Sequence, residues 1–323
     1  MEWKPIAGKT GYMLMDQSVV VTYDLSDKEM VLIDSGYRQH DDLIQWARDR
    51  GKRIRAVLCT HFHIDHMGNN GLLQREMGAE IFASEREYQV QQERFGSNDQ
   101  ISFDWMDREK YFFGDSGRFD TIVVAPDQNE VDIEGTMFRV EGLPGHSPGH
   151  IGFSTPDGVL HIGDAFMSDI VLRHSKVPYE YNITDTLTTL ERVKKMNYDY
   201  YAASHRSIIG KDDIARVIDD NIAYHNDMLD EIERRLNGWQ SMDRFVMEVI
   251  ENRGVQIKTT RSIGWLPVAV RSYIEHLIRE GRVIYKSGNL TDGETGSTSG
   301  NVYGKAEELK RIAGKVYIKR TGK

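Results

Sequence analysis

Six consecutive residues constrain this chain more than any others: His61-Phe62-His63-Ile64-Asp65-His66. Three imidazoles and a carboxylate in so short a run have metal-ligand density. Neutral imidazole nitrogens and carboxylate oxygens form the N/O donor set that suits zinc, iron or manganese. Read as an extended segment, alternate residues point the same way, so His61, His63 and Asp65 share one face and His66 turns away from its neighbour. Four such donors serve two adjacent metals better than one. A fold that carries them must hold an irregular loop rigidly, and the sequence shows how. Ile54 to Cys59 is a short apolar run with strand character that leads directly into the cluster.

The same pattern recurs downstream. Gly145-His146-Ser147-Pro148-Gly149-His150, Gly163-Asp164-Ala165 and Ser204-His205-Arg206 each set a candidate ligand after a strand-like run. Those runs are Thr136–Glu141, Val159–Ile162 and Tyr200–Ala203. Val19–Val21, Val31–Ile33, Glu80–Ala83 and Thr121–Val124 complete the predicted strands, and Ile151–Ser154 pairs with Val159–Ile162 as a hairpin across Pro156-Asp157-Gly158. Helices are expected over Asp41–Arg50, Met67–Met77 and Thr184–Met196. Apolar strands alternating with helices predict a layered α/β architecture whose loops, gathered at one sheet edge, present the chemistry. The aromatic-rich stretch Phe95–Phe119 is expected to be partly helical and partly a lid.

Beyond this core, Lys211–Leu236 reads as a linking helix. Met242–Asn252 and Pro267–Glu280 read as two more helices and Gly281–Lys286 as a strand. That order resembles a winged helix. Residues 287–304 are rich in Gly, Ser, Thr and Asn and are expected to be flexible. The expected domains are therefore a catalytic domain over 1–210, a linking helix over 211–237 and a small α-helical, winged-helix-like domain over 238–323. Val316-Tyr317-Ile318 has strand character without an evident place. The net charge of -9 is uneven, since residues 238–323 carry 15 Lys/Arg against 9 Asp/Glu. Such asymmetry suits either an anionic partner or plain solubility.

No run approaches the roughly 18 apolar residues that cross a bilayer, and Met1–Pro5 lacks the pattern of a signal peptide. Cys59 is the single cysteine in 323 residues, and a buried small hydrophobe is its expected role. A cytoplasmic protein is the simplest expectation.

These motifs together resemble the metallo-β-lactamase superfamily over about residues 10 to 210. Its HxHxDH signature stands here as His61 to His66, followed in order by His146, Asp164 and His205. Asp34, after an apolar strand, matches the family's early structural aspartate. The resemblance implies a four-layer αβ/βα sandwich with a binuclear centre. His61, His63 and His146 would hold one metal. Asp65, His66 and His205 would hold the other, and Asp164 would bridge them. It further implies two divalent ions, zinc by default with iron and manganese fitting the same donors, and a metal-bridging hydroxide as nucleophile. Asp65 would also steer that nucleophile or relay its proton. His150 is expected to have a supporting or structural hydrogen-bonding role, His161 is expected to be structural, and His174, Tyr179 and Tyr181 are candidates for the substrate pocket.

Within that resemblance the residues narrow the activity. An aspartate at position 164, rather than a cysteine ligand for the second metal, argues against antibiotic hydrolysis. The 18 residues from His146 to Asp164 and the 41 from Asp164 to His205 leave no room for the inserted domain of the nuclease branch. A flavodoxin-like domain, usual in the diiron branch, is absent. The His-Ser-Pro-Gly-His and Gly-Asp-Ala-Phe segments are most similar to glyoxalase II, although that group's basic C-terminal pattern is not evident. The expected activity is hydrolysis of a small ester, thioester or lactone. The alternative is a metal-dependent endoribonuclease or phosphodiesterase, in which the C-terminal domain meets nucleic acid. Against it, the second C-terminal helix offers only Arg271 and Arg279. A homodimer is compatible with either reading.

Overall fold

The computed structural model describes residues 2–15, 18–37, 42–89, 119–255, 260–287 and 316–322. The predicted lid over Phe95–Phe119, apart from Phe119 itself, and all of the glycine/serine-rich segment 287–304 except Ser287 lie outside the described residues.

The chain divides into two compact units, Met1–Arg173 with Thr188–Asn221, and His174–Leu187 with Ile222–Lys323. In the first unit, seven strands form one sheet in sequence order: β1 Trp3–Ala7, β2 Thr10–Met15, β3 Ser18–Asp24, β4 Glu29–Ile33, β5 Arg53–Leu58, β6 Glu80–Ser84 and β7 Ile122–Val124. The first four pair antiparallel and the rest parallel. Helices α1 Asp42–Asp49, α2 Ile64–Met67 and α3 Asn70–Met77 fall between its strands. The second sheet contains β8 Glu130–Ile133, β9 Thr136–Gly142, β10 Ile151–Ser154, β11 Val159–Gly163, β12 Tyr200–Ala203 and β13 Ser207–Gly210, in the order β13-β12-β11-β10-β9-β8. The predicted hairpin is present, with Phe153 opposite His161. Helices α4 Asp169–His174 and α5 Ile183–Val193 follow β11 in the chain.

The period of two along each strand explains the layers. Val19, Val21, Val31, Ile33, Ala56 and Leu58 face inward, where they meet Val131, Ile133, Phe138, Phe153 and Ala202 of the second sheet in one core. Their neighbours Val20, Met30, Leu32 and Val57 face the other way, onto Leu43, Ile44 and Ala47 of α1 and Leu73 of α3. Strands buried on both faces read as continuous apolar runs, which is why β4 and β5 were visible in the sequence. Burying each large side chain contributes roughly 1.5–3 kcal/mol. Strands β1, β2, β8 and β13 were not anticipated, because their apolar residues are too few or too interrupted to stand out.

Two local predictions need correction. The segment from His61 to His66 is not extended throughout. His63 starts a helical turn, Ile64–Met67, closed by His66 N–H and Met67 N–H donating to His63 O at 2.9 and 3.1 Å. Strand-type alternation therefore ends at His63, and Asp65 and His66 are presented by a helix instead. The helix expected over Met67–Met77 is two helices, broken at Gly68-Asn69, where Asn69 turns its side-chain amide onto Ser35 O at 2.7 Å.

The second unit has its own core. Met228, Leu229 and Ile232 from the end of α6 Ile214–Arg235 pack with Phe245, Val246, Val249 and Ile250 of α7 Met242–Asn252. The same core takes Leu266, Val270, Tyr273 and Leu277 of α8 Thr260–Arg279. Helix α8 begins seven residues before Pro267, which therefore lies inside the helix rather than at its start. The unplaced C-terminal segment is β16 Val316–Arg320, the centre of a three-stranded sheet between β14 Gln240–Ser241 and β15 Val283–Ser287. Tyr179, expected at a substrate pocket, packs against this core and sits edge-on to Trp265. Among the described residues, no helix is long and apolar enough to cross a membrane.

Candidate metal centre

Each site loop leaves a strand end, and backbone hydrogen bonds between the loops hold the ends together. Ser35 N–H donates to His66 O at 2.7 Å, Ile151 N–H to Thr60 O at 3.1 Å, and Ser204 N–H to Gly163 O at 3.0 Å. Val19 N–H donates to Ser204 O at 2.6 Å, which joins the first sheet to the second beside His205. Arg206, at φ 66°, turns the chain from His205 into β13.

Asp164 is the focus. Its Oδ2 lies 3.3 Å from His66 Nε2, 3.4 Å from His146 Nε2, 3.4 Å from His205 Nε2 and 4.0 Å from His61 Nε2. One carboxylate oxygen thus stands among four imidazoles from three separate loops. Two donor groups emerge that share it: His61, His63, His146 and Asp164, and Asp65, His66 and Asp164, each with ligand atoms within 4.8 Å of one another. His205 flanks the second group, with Nε2 4.0 Å from Asp65 Oδ2. The structure therefore brings all seven residues into one locus.

The donor chemistry fits divalent cations. His61 Nε2 lies 2.9 Å from His63 Nδ1, and His146 Nε2 lies 3.0 Å from the same atom. These are hydrogen-bond separations, and they gather three imidazole nitrogens that one cation could share. His66 Nε2 and Asp164 Oδ1 are buried without a hydrogen-bond partner of proper geometry, a costly state unless they are ligand atoms. Burial, reinforced by neighbouring imidazoles, pushes the His61 pKa well down, and burial likewise lowers that of His146. This favours the neutral form that binds metal. For His66, burial acts downward, but Asp164, Asp65 and Asp34 together hold its pKa well above the ordinary value. Asp164 raises that of His205 too. Burial would raise the Asp164 pKa, yet His205 and His66 hold it far below the carboxylate range.

Support comes from Asp34, which adopts φ 61° and is fully buried. Its Oδ1 accepts from Thr60 N–H at 2.8 Å. Its Oδ2 accepts from Thr60 Oγ1 at 2.9 Å and faces His66 Nδ1 at 2.8 Å and His161 Nε2 at 3.0 Å. Fixing His66 through Nδ1 leaves Nε2 directed at Asp164, as a carboxylate orients a histidine that is to bind metal. Burial opposes the ionised carboxylate, but His66 and His161 hold the Asp34 pKa well below the usual range. His161 also reaches Ala202 O at 2.9 Å. His150, whose pKa burial pushes down to about 3, faces Leu143 O at 3.1 Å and accepts from Asp164 N–H at 3.4 Å. Cys59 is buried, with its thiol on His61 O at 3.3 Å.

Gly163, just before Asp164, has φ 55°, and a Cβ there would stand 2.7 Å from Thr60 Oγ1 and collide with the His150 ring. Two residues passed over in the sequence, Ser84 and Glu87, also bond to the ligand loops. Their signal was the Ser-x-x-Glu spacing after β6, a capping-box pattern.

An αβ/βα sandwich with histidine and aspartate donor groups at its sheet edge defines a metal-dependent hydrolase type of site. The chain belongs to the metallo-beta-lactamase superfamily, whose family model matches residues 14–205. It is similar to the hydroxyacylglutathione hydrolase GloC of Haemophilus influenzae, at 30% identity over 133 residues, covering 39% of this chain and 56% of that protein. It also resembles a hydroxyacylglutathione hydrolase of Prochlorococcus marinus, at 24% identity, covering 62% of this chain and 68% of that one. Among solved structures, a beta-lactamase domain protein from Burkholderia ambifaria superposes with a TM-score of 0.67 at 16% identity, over 99% of this chain and 94% of that one. A metallo-beta-lactamase family protein from Thermus thermophilus reaches 0.61 at 18% identity, over 85% and 93%. At such identities these two establish the fold alone.

Proposed function

We propose that the protein is a metal-dependent hydrolase of a small thioester, ester or lactone, with a thioester favoured. The observation that carries this reading is Asp164, one carboxylate shared by two donor groups and ringed by His61, His66, His146 and His205. The thioester preference rests on the similarity to two hydroxyacylglutathione hydrolases. His61, His63 and His146 would hold one ion, Asp65, His66 and His205 the other, and Asp164 both; zinc is the first candidate, with iron and manganese next.

When bound, the ions would supply water activated near neutral pH and a Lewis acid for the substrate oxygen. The chain's own residues do the rest. Asp65 is partly exposed, with Oδ2 3.7 Å from His66 Nε2, and is placed to accept the proton of the attacking water. Asp34 holds His66, and His150 holds the Asp164 backbone, so the donors stay directed inward. Water oxygen bonds to the acyl carbon, the carbon–sulfur bond breaks, and the thiol leaves with a proton. In this proposal residues 1–210 carry the catalysis in the cytoplasm, 211–237 link, and 238–323 form a winged-helix-like domain.

A second reading, phosphodiester hydrolysis, draws on the basic balance of residues 238–323 and on Lys286 stacked over Trp239, 4.7 Å from the ring centroid. One panel separates the two: zinc-loaded protein with acyl-glutathione, acyl-coenzyme A, a lactone, an activated phosphodiester and single-stranded RNA. Thioester or lactone turnover that disappears in Asp164→Ala, together with one of the ions, is the expected result. Full turnover by Asp164→Ala with both ions bound would refute either reading.

A further inference from the structure

We propose that Glu87 is a positioning residue that sets the three-histidine half of the metal centre. The proposal rests on the dinuclear reading above and goes beyond it, because Glu87 is no ligand. Its side chain is buried and reaches two ligand loops at once. Oε1 accepts from Ser147 Oγ at 2.7 Å and from Gly149 N–H at 2.9 Å. Oε2 accepts from Phe62 N–H at 3.0 Å. Phe62 is the residue between His61 and His63, and Ser147 follows His146. One carboxylate therefore bonds beside every histidine of the first donor group.

The local sequence explains why a glutamate is here. Ser84 ends β6 and caps the helical residues 85–89, its Oγ accepting from Glu87 N–H at 3.2 Å. In a capping box the glutamate three residues on returns to the N–H of the capping serine. Here Ser84 belongs to the ladder opposite Val124 of β7, and the Glu87 carboxylate is turned to the ligand loops. Ser84 Oγ–H in turn donates to Gly149 O at 2.5 Å. Both the N–H and the C=O of Gly149 are thus held by this one turn. Position 149 accepts only glycine, since a Cβ would stand 2.6 Å from Glu87 N and 2.6 Å from Ser84 Oγ. The three donors to Glu87 cannot all be met by an amide. In Glu87→Gln, the NH2 group must confront either Phe62 N–H or Gly149 N–H, which releases one of the two loops.

The prediction is selective. Support residues around metal ligands typically change metal affinity about 10–100-fold. Cobalt titration of the full chain, followed by visible absorption, reports each half of the centre, and the band missing from His146→Ala identifies the three-histidine half. Glu87→Gln should lose about 10–100-fold affinity in that band, while the band of the Asp65/His66/His205 half titrates as in the unaltered protein. Ser147→Ala, which removes a single donor and leaves the carboxylate, should weaken the same half by less and keeps the test valid if Glu87→Gln does not fold. Equal weakening of both halves, or wild-type titration of both, would overturn the role given to Glu87. An unaltered protein that binds fewer than two cobalt ions would instead overturn the dinuclear reading, before any variant is considered.

Discussion

Asp34→Asn isolates what the hidden support of this site contributes. The change keeps the shape and removes the charge. Asp34 now satisfies four donor atoms, one at Oδ1 and three at Oδ2. An asparagine offers one oxygen, so its NH2 must face either Thr60 N–H or the two imidazole nitrogens of His66 and His161. Thr60 Oγ1 can rotate to become an acceptor, but a backbone N–H cannot. With the oxygen kept on Thr60 N–H, two bonds from imidazoles to a carboxylate are lost. At about 1.5–3 kcal/mol for each bond to a charged group, the cost is about 3–6 kcal/mol, a large share of the usual 5–15 kcal/mol of a folded domain. Urea unfolding followed by circular dichroism should show this loss at pH 7. Because the Asp34 pKa is held below its unfolded value, its stabilisation is complete above the unfolded carboxyl pKa of about 3.9 and fades as pH falls below it. The gap between variant and parent should therefore narrow in acid. Zinc affinity of the His66 half should also drop about 10–100-fold. A stability change under about 0.5 kcal/mol, the level of an ordinary surface substitution, would refute this account of Asp34.

Further expectations are direct. Gly163→Ala forces a residue with a Cβ into φ 55° and against Thr60 and His150; it should cost more than about 1 kcal/mol and lower bound metal per chain by elemental analysis, and unchanged stability and stoichiometry would contradict it. In the second unit, burial pushes the His225 pKa down to about 3, with Nδ1 2.8 Å from Tyr273 Oη. A depressed folded pKa means stability that is present above the unfolded value near 6.5 and lost as pH falls toward 3, at most about 1.4 kcal/mol per pH unit. His225→Gln, which cannot titrate, should flatten that dependence in hydrogen exchange of α6 and α8; identical pH profiles for variant and parent would sink the assignment.

The candidate ligands were legible in the sequence because metal chemistry demands particular side chains, here at strand ends, and both are local signals. His61 to His66, His146, Asp164 and His205 need no tertiary information to be noticed, and the strand-like runs of β5, β9, β11 and β12 mark the strands that precede them. The C-terminal segment Val316–Arg320 could be read as a strand but not placed, since its partners lie about 30 and 75 residues away in the chain. Tertiary structure alone decided how the donors meet. The helical turn at Ile64–Met67 presents Asp65 and His66 in a direction that strand alternation does not give. The Glu87 carboxylate was an ordinary acidic residue in the sequence, and Asp34 was marked only by the family resemblance; each bonds residues 25 or more positions distant. Their roles come from burial and from which N–H groups the packed loops direct at them. A sequence states which atoms are available; only the assembled sheets determine which of those atoms lie within 3 Å of one another.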